Sequence, residues 1–480
     1  MIMHILFLNP QGNFDEGDSY LAAHPDFGGQ LVYVREAAMA MADAGHQVDI
    51  VTRRLIDPEW PEFEEEIDHY SGYGDKLRIV RIPCGGDLFI PKEQLWADLP
   101  EFAENVAEFY AGSLPDFVTA HYADGGYSAA LLQASTGVRF TFTGHSLGAQ
   151  KLDKLIATGT DQNELEERYC FGKRIEAERL SMERAFRIIT STRQERIQQY
   201  GHALYKGAVD VTDDSRFAVI PPGVNTRVFT LESSAMDAEV ESRLRSVLSY
   251  PEMPHLVISS RLDEKKNIGK AVEAWVDYGE LNTQACLALC IRGLENPWLE
   301  IDDLTPEDQE VLRPILELIS ESGLRDRVAF LNLQSQAELA ASYRYFARHG
   351  SLFVLPSVYE PFGLAPIEAA ACGLPCVATR NGGPSEIFED GSAILVDPFD
   401  MDDIALGMLE ALDRQQELAE RGRERVLDKY TWQKTAARYL DVIREGVEMG
   451  PADTPATIRL DANSRIGEYL KARQADQVQA

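Results

Sequence analysis

The sequence predicts an α/β protein with two doubly wound parallel-sheet domains, and three observations carry that expectation. Short apolar runs alternate with amphipathic helical stretches along most of the chain. The run Ile220-Pro-Pro-Gly-Val-Asn225 breaks the alternation, and a second series starts at His255. At 480 residues the chain also exceeds what one hydrophobic core organises.

Taken in order, the first series opens with a strand at His4–Leu8, a glycine-bearing loop, a helix from about Gly29 that ends at Gly45, and a strand at Val48–Thr52. Further strands are expected at Arg78–Ile82, Phe117–His121, Arg139–Thr143, Arg187–Ser191 and Phe217–Ile220. Paired prolines stop regular structure, so the domain boundary is placed near residue 222. The second series has strands at His255–Ser259, Cys286–Arg292, Arg327–Leu331, Ser351–Leu355, Pro375–Thr379 and Ala393–Val396. Past Asp400 the pattern is helical to about Val447. Residues 451–480 read as a polar tail with one short helix around Ile466–Arg473 and little to hold it to a core.

The net charge of −32, from 78 acids against 46 bases, argues against nucleic acid or an anionic membrane as partner. No apolar segment approaches the roughly 18–20 residues of a membrane span, and no signal-peptide pattern precedes the first strand. Six cysteines, Cys84, Cys170, Cys286, Cys290, Cys372 and Cys376, lack metal spacing and read as buried free thiols of a reducing cytoplasm. No metal and no cofactor is expected. Only twelve bases are lysines, and six of them (Lys92, Lys151, Lys154, Lys173, Lys265, Lys266) fall inside motifs.

The stretch from Ser357 to Thr379 reads as loop, helix and strand after the apolar run Ser351–Leu355. Ligands of open parallel sheets sit at such loops, beyond the carboxyl ends of the strands, where helix N-termini offer unpaired N–H groups. Glu360 falls in the loop and Glu368 in the helix, so two carboxylates can converge on the hydroxyls of one ligand, although a solvated surface loop would look the same. Gly28-Gly29 lie between the first strand and its helix, where glycine admits a phosphate or sugar close to the backbone. Thr143-Gly-His-Ser-Leu-Gly-Ala-Gln-Lys151 follows a strand and places His145, Ser146 and Lys151 at one sheet edge. The run Glu166–Arg179 reads as a charged helix, mostly a solvated face, whose Lys173 and Arg174 suit a phosphate only in company with Lys92 and Lys151. In Ser259-Ser-Arg-Leu-Asp-Glu-Lys-Lys-Asn267, Arg261 and Lys266 suit a diphosphate. Asn381-Gly-Gly-Pro-Ser-Glu386 adds a third glycine-rich loop.

Together HPDFGGQLVYV, TGHSLGAQK, IPPGVNTRVF, SSRLDEKKN, YEPFGLAPIEA and NGGPSEI resemble the retaining GT-B glycosyltransferases that make sucrose-type disaccharides, and among them the bacterial sucrose-phosphate synthases. The resemblance runs in order over roughly residues 4–447. It implies two Rossmann-like domains facing a cleft: 1–222 for the acceptor, completed by a crossing helix at about 431–447, and 223–430 for the nucleotide sugar. It further implies transfer of glucose from UDP-glucose to fructose 6-phosphate without a protein nucleophile, the leaving diphosphate oxygen taking the acceptor proton. Carried over, Arg261 and Lys266 hold the donor diphosphate, Gly29 approaches it, Glu368 takes the ribose and Glu360 the sugar hydroxyls. Phe362, Gly363 and Leu364 complete the donor loop, the backbone near Asn332–Gln336 reads the base, and His145 contacts the transferred glucose. Gly28, Gln30, Lys92, Tyr122, Ser146, Lys151 and Arg174 match acceptor positions. The alternatives are a mannosylfructose-phosphate synthase using GDP-mannose, a sucrose synthase using free fructose, and a catalytically silent sugar-nucleotide-binding regulator. The sequence leaves the oligomeric state open.

Overall fold

The computed structural model describes residues 1–20, 24, 26–157, 159, 161–454, 458, 460 and 465–471. Its contacts cluster into two units, Met1–Pro221 with Thr435–Ala480, and Pro222–Lys434.

In the first unit the elements are β1 His4–Leu8, α1 Gly29–Asp43, β2 Gln47–Arg53, β3 Ile67–His69, β4 Leu77–Ile82, α2 Leu99–Phe109, β5 Phe117–His121 and α3 Tyr122–Thr136. They continue as β6 Phe140–Thr143, α4 Gly148–Ala157, α5 Gln162–Tyr169, α6 Phe171–Arg184, β7 Arg187–Thr190, α7 Arg193–Gln198 and β8 Phe217–Val219. The sheet runs β3-β4-β2-β1-β5-β6-β7-β8. All its pairings are parallel except that of the short edge strand β3, which runs antiparallel to β4. The strands were legible because both faces are covered: β5 is buried at every position and reads as an apolar run. β3 was not, since its three residues Ile67-Asp-His69 carry no apolar pattern.

The second unit contains α8 Asp237–Val247, β9 His255–Ser259, α9 Ile268–Asp277, α10 Gly279–Gln284, β10 Cys286–Cys290, α11 Pro297–Glu300, α12 Pro306–Ser322, β11 Val328–Leu331 and α13 Gln336–Arg348. It continues with β12 Leu352–Leu355, α14 Leu364–Ala371, β13 Cys376–Thr379, α15 Gly383–Ile387, β14 Ile394–Val396, α16 Met401–Asp413 and α17 Gln415–Lys429. Strand order β11-β10-β9-β12-β13-β14 is the doubly wound arrangement, reversing direction between β9 and β12. Apolar clusters cover both faces of this sheet, one around Tyr343, Phe353 and Ile367, the other around Trp275, Leu352 and Met408.

The last long helix, α18 Trp432–Glu448, starts at the unit boundary and packs into the first unit. Its Tyr439 is fully buried, with its hydroxyl 3.0 Å from that of Tyr33 and 2.9 Å from Thr143 Oγ1. A side chain at Gly446 would strike Phe117, so the glycine lets the helix lie close to β5.

The tail beyond Gly450 departs from expectation, because its described residues are held. Arg139 donates from Nε to Gly450 O at 2.7 Å, and Ala452 N donates to Gly137 O. Ile458, Ile466 and Tyr469 pack on the main core of the first unit. A helical turn over residues 465–471 matches the expected short helix, whose far end at Arg473 lies outside the described residues.

No helix among the described residues is long and apolar enough to cross a membrane. All six cysteines are free; Cys170 and Cys290 are half-buried and the other four are buried.

Candidate active site

In the second unit the expected donor residues gather where the strand order reverses. Arg261 and Lys266 follow β9, and Glu360 follows β12. Lys266 Nζ lies 2.7 Å from Glu360 Oε2, and Ser357 Oγ stands 3.5 Å from the same oxygen. The Arg261 side chain is exposed and makes no ion pair among the described residues. Just after Lys266, Asn267 adopts a left-handed conformation (φ 58°), and its amide donates to Pro356 O at 2.9 Å and Pro398 O at 2.8 Å. One side chain thereby fixes the Lys266 turn to the Glu360 loop and to the chain before α16.

The Glu360 loop lies against the third glycine loop, backbone on backbone. Glu360 N donates to Asn381 O and Gly383 N to Glu360 O. A Cβ on Gly382 would come within 2.1 Å of Glu360 O, and one on Gly383 within 2.0 Å of Phe362 O. Close packing therefore accounts for these two glycines without a ligand. Gly363 precedes α14 at φ 109°, and that helix starts with neither a side-chain cap nor an acid, leaving its first N–H groups open to an anion. Phe362 is buried beneath the loop, whereas Leu364 is 45% exposed. Glu368 retains some surface, yet the packed atoms around it strip its water, and burial pushes its carboxyl up to about 8. Asn332 Oδ1 accepts Gly293 N at 2.8 Å, tying the loop after β11 to that after β10.

In the first unit, the expected acceptor residues come from the loops and helix starts that follow β1, β4, β5 and β6, and from α6. Gly28 and Gly29 open α1, which has no side-chain cap and no acid in its first turn. A Cβ on Gly29 would meet nothing within 4 Å, so open space rather than packing surrounds it. Gln30 Nε2 is buried and finds no partner among the described residues. Tyr122 begins α3 at φ 66° and His145 follows β6 at φ 55°, conformations that cost a bulky side chain energy and gather at functional sites.

The His145 loop is pinned on several sides. Gly144 N donates to Tyr200 Oη, Ala149 N to Tyr205 Oη, and Gly148 N to both oxygens of Glu178. His145 Nε2 lies 3.0 Å from His121 Nδ1, and His121 Nε2 lies 2.9 Å from Thr119 Oγ1, which leaves His145 Nδ1 as the ring nitrogen outside this chain. Burial lowers His145 to about 4 and His121 well below its ordinary range, so both rings are neutral at pH 7.

Three bases meet here. Arg174, 5% exposed, donates to Glu178 Oε1 and to Ser146 O, and stacks 4.7 Å over the Tyr122 ring. Lys151 stands 4.0 Å over Tyr169; burial, then the charges of Arg174 and Lys92, lower its ammonium to about 8. Lys92 pairs with Asp26 at 2.8 Å. Lys173 and Lys154 are exposed.

The solvated-face reading of residues 166–179 needs correction. The stretch is two helices broken at Cys170 (φ 49°), and Arg174, Glu178 and Arg179 are buried. Glu178 caps α4, fixes Arg174 and bonds Tyr205 Oη, a structural role hidden among alternating charges. Sequence reasoning also passed over His121, which reads as a strand end, Asn267, and Asp26.

Comparison with known proteins assigns the family. Residues 28–204 match the model of the glycosyl transferase 4-like domain and residues 241–426 that of glycosyl transferases group 1. A probable sucrose-phosphate synthase from Thermosipho melanesiensis is 42% identical over 92% of this chain and 97% of its own. The chain belongs to the sucrose-phosphate synthase family. Sucrose-phosphate synthase 4 of Arabidopsis thaliana is 31% identical over 91% of this chain, which spans about half (47%) of that longer relative. A solved sucrose-phosphate synthase from Thermosynechococcus elongatus covers 93% of the chain at TM-score 0.64 and 26% identity. The Anabaena protein HepE, solved with UDP and glucose, shares the fold at TM-score 0.57 and 16% identity. The chain is thus a hexosyltransferase of GT-B type.

Proposed function

We propose that the protein transfers glucose from UDP-glucose to fructose 6-phosphate with retention, giving sucrose 6-phosphate and UDP. The observation that carries the reading is the meeting of Lys92, Lys151 and Arg174 in a chain of net charge −32. Lys92 and Arg174 each hold one carboxylate, Asp26 and Glu178, but Lys151 makes no ion pair among the described residues and is opposed by both neighbouring cations, a charge that a phosphate dianion offsets where a neutral sugar does not. In the second unit, donor binding recruits Lys266 and Arg261 to the diphosphate, Glu360 to the glucose hydroxyls and Glu368 to the ribose. The open N–H groups at Gly363 and Leu364, above the buried Phe362, add to the charge stabilisation of the leaving group. Gly29 offers backbone to the diphosphate. His145, held neutral, donates or accepts a hydrogen bond to the transferred glucose from Nδ1 without introducing charge. Gly28, Gln30, Tyr122 and Ser146 position the fructose, the unpartnered Gln30 Nε2 being a donor in need of an acceptor. Residues 1–222 with the helix at 431–447 form the acceptor domain and 223–430 the donor domain. Free thiols fit a reducing cytoplasm as its place of action.

The test is turnover with UDP-glucose and fructose 6-phosphate against UDP-glucose with fructose, and against GDP-mannose with fructose 6-phosphate. A strong preference for the first pair is expected. Equal use of free fructose favours the sucrose synthase alternative, preference for GDP-mannose the mannosyl one, and donor binding without turnover a regulator.

A further inference from the structure

Asp26 lies between the unpartnered-donor residue Gln30 and the first strand, in the loop that ends at Gly28-Gly29, and it touches Lys92 twice. Its Oδ1 stands 2.8 Å from Lys92 Nζ, and its Oδ2 accepts the Lys92 main-chain N–H at 3.2 Å. The carboxylate is 5% exposed and the lysine side chain 18%. Asp26 is itself held, its N–H donating to His24 Nδ1 at 3.2 Å and its neighbour Phe27 stacking on Trp60 with ring centroids 5.4 Å apart.

An acid at an anion site opposes the ligand unless it does something else. Two lysines of the same cluster show what that is. Lys151 has a ring beneath it, and burial brings it down to about 8. Burial also works to lower Lys92, but the Asp26 contact outweighs it and the ammonium ends above its ordinary value. We propose that Asp26 is a positioning residue of the acceptor site, fixing the backbone and the ammonium of Lys92 so that the charge is aimed at the phosphate of the sugar. By joining the loop before α1 to the segment before α2, it also ties the glycine loop to the lysine. The inference rests on the acceptor reading proposed above.

Steady-state kinetics of Asp26→Asn, Asp26→Glu, Lys92→Ala and Asp26→Asn/Lys92→Ala test it. Asp26→Asn should raise KM for fructose 6-phosphate about 10-fold, with kcat and KM for UDP-glucose little changed. Asp26→Glu keeps the charge and should recover part of the loss. In the Lys92→Ala background, Asp26→Asn should add nothing, because its effect passes through the lysine. Additive losses, or a lower KM in Asp26→Asn, overturn the assignment, the second by making Asp26 a competitor of the phosphate. Should Asp26→Asn fail to fold, Asp26→Glu carries the test by a raised KM for fructose 6-phosphate, and a wild-type KM there overturns it. Lys92→Ala with unchanged acceptor KM defeats the acceptor reading itself, and the Asp26 assignment with it.

Discussion

Lys266 and Glu360 neutralise one another across 2.7 Å, each partly shielded from water. Either truncation leaves its partner uncompensated and removes a group proposed to act on the donor. Glu360→Ala and Lys266→Ala should each lower kcat/KM by at least ~10²-fold, and near wild-type kinetics in either would refute the donor assignment. Lys151 yields a pH signature. Its ammonium, lowered to about 8, loses its proton through the alkaline range, so kcat/KM for fructose 6-phosphate should fall above about pH 8 in the wild type. Lys151→Arg should flatten that limb, since guanidinium stays charged. Glu368 acts through stability. Its folded value of about 8 exceeds the ordinary 4.5, so the native state binds the extra proton between those limits and loses stability as pH rises through them. Glu368→Gln should therefore match the wild type in Tm near pH 4 and surpass it progressively toward pH 8, whereas a gap that does not change with pH would contradict the buried carboxyl. The positions of the residues quoted in glycine-bearing motifs, at the ends of strands, were legible, because an apolar run followed by a glycine-bearing turn marks where a strand stops. Glu178 and His121 were not, as a charge on a helix and a histidine in a strand look the same whether buried or solvated.

Helix α4 shows how an element can be governed from outside itself. Its first N–H goes to Glu178 and its second to Tyr205 Oη, and its Asp153 accepts the Tyr469 hydroxyl at 2.7 Å, with His202 Nε2 3.1 Å away. The tail thus braces the helix that carries Lys151. Tyr469→Phe should cost about 0.5–1.5 kcal/mol in denaturant unfolding, the net worth of one hydrogen bond, and an unchanged midpoint would mean that the tail does not brace the helix. Sequence pattern missed this because the anchors Ile458, Ile466 and Tyr469 are few and widely spaced in a polar stretch. Strand positions, by contrast, were legible almost to the residue, since continuous apolar runs mark strands covered on both faces. The third glycine-rich loop shows a second use of glycine, since the atoms nearest a Cβ at Gly382 and Gly383 are the backbone of Glu360 and Phe362.

At the scale of the molecule, a charge of −32 opposes compaction and repels anionic substrates. Both effects weaken as the Debye length falls from about 10 Å at 0.1 M salt to about 3 Å at 1 M. Tm should rise between those concentrations of a weakly interacting salt, and a flat or falling curve would show that the acidic surface is already internally balanced. The doubly wound class was legible from one break and two alternating series. The antiparallel edge at β3 was hidden by its brevity.

The return of α18 has a consequence for biosynthesis. The first unit's seat around Tyr33 and Thr143 is completed by Tyr439, which leaves the ribosome only after all of Pro222–Lys434 has been made. The inserted unit can therefore finish folding while its host still waits for its last helix, reversing the usual order in which amino-terminal domains mature first. A nascent chain stalled with Lys434 just clear of the ribosome and Tyr439 still inside it should resist protease across residues 222–434 and be cut within 1–221, a state in which Phe117 and the Tyr33 hydroxyl are offered to chaperones rather than to Gly446 and Tyr439.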